Sequence, residues 1–132
     1  MEGEMTMGLD TRAKGLARKD GYHASYGGYF YFRKEIVRRC YGEYCAGIFL
    51  KHDVSEEECE VWNKICDDDL DIFLLHSDYD GKFTPQECRK VYNALSRIET
   101  KDDDPEWFTE DLKLWKGIFL HCAKRRVNLY YC

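Results

Sequence analysis

Residues 76–87 (HSDYDGKFTPQE) hold the densest run of side chains able to do chemistry. Counting from His76, carboxylates stand at the third position (Asp78), the fifth (Asp80) and the twelfth (Glu87), with Gly81 at the sixth. Oxygen donors at alternate positions, a glycine for a sharp turn and a closing carboxylate form a pattern that holds a hard divalent cation such as calcium. Phe83, at the eighth position, would turn an apolar side chain inward. His76 brings nitrogen where calcium takes oxygen. Asp78, Asp80 and Glu87 are therefore the candidate metal ligands, with calcium the cofactor they would suit. The same residues also suit plain architecture. Asp78 and Asp80 can accept backbone N–H groups, Gly81 can take a left-handed turn, and Glu87 can close a capping box with Thr84. Calcium prefers roughly six to eight oxygens, and the missing first carboxylate favours the architectural reading.

A second concentration of chemistry lies between residues 22 and 39. Tyr22, His23, Tyr26, Tyr29 and Tyr31 offer stacking faces with polar tips. Arg33, Lys34, Arg38 and Arg39 offer contacts to phosphate or carboxylate. Aromatic faces beside arginine suit a nucleotide-like small molecule or the hot spot of a protein interface. The candidate binding set is Tyr22, His23, Tyr26, Tyr29, Arg33, Lys34 and Arg38. The competing reading makes the aromatics core and the cations a solvated helix face.

Catalytic signatures are missing. The chain has no G-x-S-x-G elbow, no phosphate-binding Walker loop, no H-E-x-x-H and no Rossmann glycine fingerprint. His23, His52, His76 and His121 are scattered, so a Cys–His pair would depend on the fold. The expectation is a binding protein and not an enzyme.

Local signals give the elements that position these residues. Ser55 with Glu58, and Thr84 with Glu87, read as capping boxes, the second followed by Pro85 at the first helical position. Ser25 can cap a helix over residues 28–41, with Phe30, Ile36, Val37, Cys40 and Tyr41 on one side. Residues 44–50 are an apolar stretch that fits a short helix or strand. Cys59, Trp62, Ile65 and Cys66 recur at helical spacing, and Asp67, Asp68 and Asp69 break that helix or end it. Cys88, Val91, Tyr92, Leu95 and Ile98 mark the helix after the loop. Pro105 opens a last helix carrying Phe108, Leu112, Trp115, Phe119 and Cys122. Residues 5–14 and 127–132 read as strands that pair and bring the two ends together. The expected fold is mainly α (α+β), one domain over residues 1–132. It has about five helices, a central helix-loop-helix across residues 55–98 and a small antiparallel strand pair.

Composition sets the outer bounds. The chain has 132 residues, 44% hydrophobic and 15% aromatic, enough for a real core despite 34% charge. No apolar run is long enough for a membrane span, and the first residues lack a secretory signal. Seven cysteines, an odd number with no C-x-x-C pair, suggest reduced thiols in a cytoplasm. The net charge of −5 divides into +3 over residues 1–41 and −8 over the rest. That balance lacks the strongly basic signature of a nucleic-acid-binding domain, so direct nucleic-acid binding is not expected. The acidic runs at residues 56–58, 67–69 and 102–104 lie at helix ends and connectors, where carboxylates are ordinary.

The loop at residues 76–87 resembles an EF-hand calcium loop with its first ligand replaced. Over most of its length the chain also resembles a family of small, uncharacterised bacterial and phage proteins. The resemblance rests on Met7-Gly8-Leu9-Asp10, on Ser25 to Arg33 (SYGGYFYFR), on His76 to Gly81 and on Tyr131-Cys132. Tyr79 stands where that family often has cysteine. The resemblance implies a cytoplasmic accessory protein in a phage or bacterial setting, and it brings no activity with it. The expected function is a counter-defence or accessory factor that captures a host protein or a nucleotide-like molecule through the aromatic, basic front. A calcium-binding module and a small enzyme are the alternatives.

Overall fold

Four of the six described α-helices start where a side chain satisfies orphan N–H groups. The structure is a computed structural model and describes residues 8–76 and 81–132. Helix α1 (Tyr26–Tyr41) begins at Ser25, whose hydroxyl accepts from Gly28 N. It stops at Gly42, whose φ of 99° turns the chain directly into α2 (Glu43–Phe49). Ser55 and Glu58 close a capping box on α3 (Glu56–Ile65). Asp67 ends the expected break by capping α4 (Asp68–Leu74), its carboxylate accepting from the N–H groups of Asp69 and Leu70. Thr84 and Glu87 close the box on α5 (Pro85–Ser96). The last helix, α6 (Glu106–Arg125), ends at Arg126, held left-handed at φ 56°.

Four short strands form one antiparallel sheet in the order β2-β1-β4-β3. They are β1 (Gly8–Arg12), β2 (His23–Ser25), β3 (Lys82–Phe83) and β4 (Leu129–Tyr131). The expected strand pair is present among the described residues: Thr11 pairs with Tyr131 and Arg12 with Tyr130, while residues 5–7 of the expected first strand lie outside the described residues. Lys82 also pairs with Tyr130, and Asp10 with His23. Period-two alternation puts Leu9, Thr11, Phe83, Leu129 and Tyr131 inside, and Asp10, Arg12, Lys82 and Tyr130 outside. The fold is mainly α with a small sheet, and six α-helices are present among the described residues.

The core centres on Trp115 of α6. Its ring lies 4.8 Å from Tyr22, 5.4 Å from Tyr29 and 5.2 Å from Phe73. The Tyr29 and Tyr131 hydroxyls meet at 2.8 Å, joining α1 to β4 inside the core. Tyr41, Trp62 and Asp71 form a polar node at the other end. Asp71 accepts from the Tyr41 hydroxyl at 2.8 Å and from the Trp62 indole N–H at 3.0 Å.

Three sequence expectations change. The buried stripe of α1 is Tyr29, Phe32, Arg33, Ile36, Val37 and Tyr41, while Phe30 is half-buried and Cys40 is exposed. Of the cysteines expected in the core, Cys88 is buried, Cys66 half-buried and Cys59 exposed. Ile65 is exposed, and Trp62 is the one residue of α3 that is buried. No helix among the described residues is long and apolar enough to cross a membrane.

Candidate functional site

The structure divides the expected aromatic and basic front. Tyr22, Lys34 and Arg38 line one groove of about 630 Å³ between α1 and the first turns of α6, together with Gly28, Tyr31, Glu35, Glu43, Trp107 and Asp111. Tyr26 is half-buried against the core. His23 turns to the sheet, its Nδ1 2.6 Å from the Asp10 carboxylate and its Nε2 2.6 Å from the Arg18 carbonyl.

Tyr29 and Arg33 are corrected from surface contacts to core residues. Tyr29 is fully buried and Arg33 retains 6% of its surface. Helical phase explains this, because residues 29, 32, 33, 36 and 37 fall on one stripe. Arg33 is tolerated there through specific partners. Its Nη1 donates to the Leu74 carbonyl at 3.1 Å, at the negative end of α4. Its guanidinium also lies 4.1 Å from the Tyr29 ring centre.

The floor of the groove is Tyr22, only 3% exposed. Its hydroxyl reaches α1 at Gly28, where a Cβ would stand 3.4 Å away. Burial, reinforced by the nearby Asp111 carboxylate, holds that hydroxyl well above the usual tyrosine range. Tyr31 and Trp107 are large aromatics in the open, 62% and 47% exposed. Asp111, one turn beyond Trp107, is half-buried, and desolvation raises its carboxyl above the ordinary value. It makes no hydrogen bond or ion pair among the described residues.

The two cations of the groove differ. Arg38 is committed: its Nε donates to Glu35 at 2.9 Å, a second bond joins the same carboxylate, and Nη1 donates to Glu43 at 3.4 Å. Those bonds, led by that from Arg38 and opposed by partial burial, pull the Glu35 carboxyl below its usual range. Lys34 has no ion-pair partner among the described residues. The groove thus offers one unpaired cation, one unpaired carboxylate and two exposed aromatic faces. Trp107 and Asp111 escape a reading of the first 41 residues because they lie on a helix almost seventy residues away. Their visible signal is an apolar ring off the stripe of Phe108, Leu112 and Trp115.

A second concavity of about 360 Å³, lined by Ile48, Phe49, Val54, Trp62 and Leu75, is almost wholly apolar. At the loop, Asp78 and Asp80 lie outside the described residues. Glu87 spends a carboxylate oxygen on Thr84 N, 2.8 Å away, within its cap. The His76 ring stacks on Phe83 at 3.9 Å, and its Nε2 lies 3.1 Å from the Lys82 carbonyl. Gly81 takes φ 110°, as a sharp turn requires. No cysteine is hydrogen-bonded to a histidine among the described residues.

No family model, no curated protein and no solved structure matches this chain.

Proposed function

We propose that this is a non-enzymatic binding protein whose groove between α1 and α6 takes a segment of a partner protein. The observation that carries the reading is Asp111, a half-buried carboxylate without a partner among the described residues, beside the exposed faces of Tyr31 and Trp107. A desolvated, unpaired carboxylate is costly, and a cation placed against it repays that cost. Aromatic faces add to the attraction for lysine or arginine. Lys34 supplies the reciprocal contact to an acidic group on the same segment.

A nucleotide-like ligand fits the groove less well. Phosphate would meet Glu35, Glu43 and Asp111, while Arg38 already serves two of those carboxylates and Arg33 faces the core. The largely apolar concavity between α2 and α3 offers few polar anchors, since Lys51 on its rim is engaged by Glu58. Seven free thiols support a reducing compartment such as the cytoplasm as its setting.

Selection from a displayed random-peptide library tests the reading, with Trp107→Ala as the counter-selection. Enriched peptides should carry lysine or arginine, and Asp111→Asn should weaken them about tenfold by calorimetry. Peptides that bind Trp107→Ala and Asp111→Asn as tightly as the parent would overturn it.

A further inference from the structure

The open face of the sheet carries chemistry that the groove does not use. Strand register places Arg12, Tyr130 and Lys82 side by side on β1, β4 and β3. Adjacent strands lie about 4.8 Å apart, so the row spans roughly 10 Å. All three side chains are exposed, Tyr130 by 46%. Asn128 Nδ2 donates to the Tyr130 hydroxyl at 3.1 Å and holds the ring in place. Neither Arg12 nor Lys82 has an ion-pair partner among the described residues. With Gly81, Tyr131 and Cys132 they border a shallow concavity of about 550 Å³.

The charge around this row opposes that of the whole molecule. Residues 8–16, 81–84 and 121–132 hold six lysines and arginines against one carboxylate, Asp10, which His23 already engages. Lys124, Arg125 and Arg126 are exposed and lead into β4, while Lys14 follows β1 and its carbonyl contacts His121 at 3.0 Å. A chain with net charge −5 therefore concentrates positive charge, unpaired among the described residues, at one end of its sheet.

We propose that this face binds single-stranded nucleic acid. One base stacks on Tyr130, Arg12 and Lys82 take the flanking phosphates, and the basic end of α6 extends the track. An aromatic ring on an open sheet between cations suits a splayed strand, because stacking needs one free face and phosphates need point charges on either side. The shallow face cannot enclose a small ligand as a pocket would, and the cations beyond the row call for a polymer. This site is separate from the α1–α6 groove and does not rest on it.

The test is fluorescence anisotropy with a fluorescein-labelled oligo-dT of about ten nucleotides, within the site sizes such surfaces cover. Saturable binding is expected at low salt, with the log of the affinity falling linearly against the log of salt concentration. Tyr130→Ala should weaken binding about tenfold, and Tyr130→Phe should keep it. Arg12→Gln with Lys82→Gln should flatten the salt slope by about 1.4, at roughly 0.7 per lost phosphate contact. Trp107→Ala should change nothing. Matching melting curves establish that each variant is folded, and Tyr130→Leu serves as a second stacking-deficient variant that suits a strand. The proposal falls if no saturable change occurs at low salt, or if the Tyr130 and Arg12/Lys82 variants bind like the parent. It falls equally if dTMP or a duplex competes as well as the oligonucleotide.

Discussion

Arg39 and Asp104, 65 residues apart, meet in a two-pronged ion pair that fastens the connector before α6 to α1. Nη1 donates to Oδ2 at 3.1 Å and Nη2 to Oδ1 at 2.8 Å, while Lys101 N donates to the same carboxylate at 2.6 Å. The guanidinium also lies 4.0 Å from the Phe108 ring centre. The Arg39 bonds, followed by that of Lys101 N, hold the Asp104 carboxyl at about 2, below its ordinary 3.8. An acid whose folded value is depressed contributes stability that is present above 3.8 and lost as pH falls toward about 2. The urea midpoint should drop through that window. Asp104→Asn should lower the midpoint at pH 6 and flatten its dependence below pH 4. A variant that keeps the parental slope would assign the acid sensitivity elsewhere.

The cap at the start of α5 separates architecture from ion capture. Thr84→Ala should cost about 1 kcal/mol in denaturant unfolding, the usual worth of an N-cap hydroxyl. Glu87→Gln can still accept from Thr84 N, so it should leave the melting temperature nearly unchanged. Millimolar calcium should shift neither protein. A calcium-dependent rise in the parent that vanishes in Glu87→Gln would restore the metal reading.

Phe73 is the most exacting position in the core. It is fully buried and meets Tyr29, Phe32, Trp115 and Phe119 in edge or near-edge geometry. Phe73→Ala should cost about 3–5 kcal/mol, and Phe73→Leu considerably less. Equal losses from both, read by urea denaturation, would show that the site collapses around any smaller side chain.

Asp111 predicts opposite effects on stability and on recognition. Its folded carboxyl is raised by desolvation, so its contribution favours the fold at low pH and is lost as pH rises through the folded value. Asp111→Asn should therefore raise the melting temperature slightly at pH 7. Affinity for a basic peptide needs the ionised form and should fall as pH drops through the same raised value. Trp107 fluorescence across a pH series measures the second effect and calorimetric melting the first. Weakened binding without any gain in stability would show that the carboxylate is not strained in the free protein.

Local signals were legible in the sequence, and the placement of the binding groove was not. Both capping boxes, at Ser55–Glu58 and Thr84–Glu87, depend on residues three apart, so sequence suffices to see them. The strand pair at the two ends follows from alternation near Leu9 and Tyr131. Helix α1 was harder, because ten of its sixteen residues are aromatic or basic and several phases fit the sequence. What selects the true phase is the Leu74 carbonyl and the Tyr29 ring, which make a buried arginine tolerable, and neither partner can be inferred from spacing along α1. The groove likewise pairs α1 with Trp107 and Asp111, a juxtaposition that only tertiary packing of α6 creates. Tyr130 shows the same limit. Its isolated exposure is visible from alternation, but its neighbours Arg12 and Lys82 are set by strand order.

Strand β4 follows every other element in the chain and yet lies between β1 and β3. A polypeptide emerging from the ribosome therefore holds two unjoined sheet edges until residues 129–131 arrive. Hydrogen bonding to both neighbours, and the Tyr29–Tyr131 contact inside the core, then form together. Translation that stops short of Leu129 leaves those edges exposed, a state open to aggregation and to proteases.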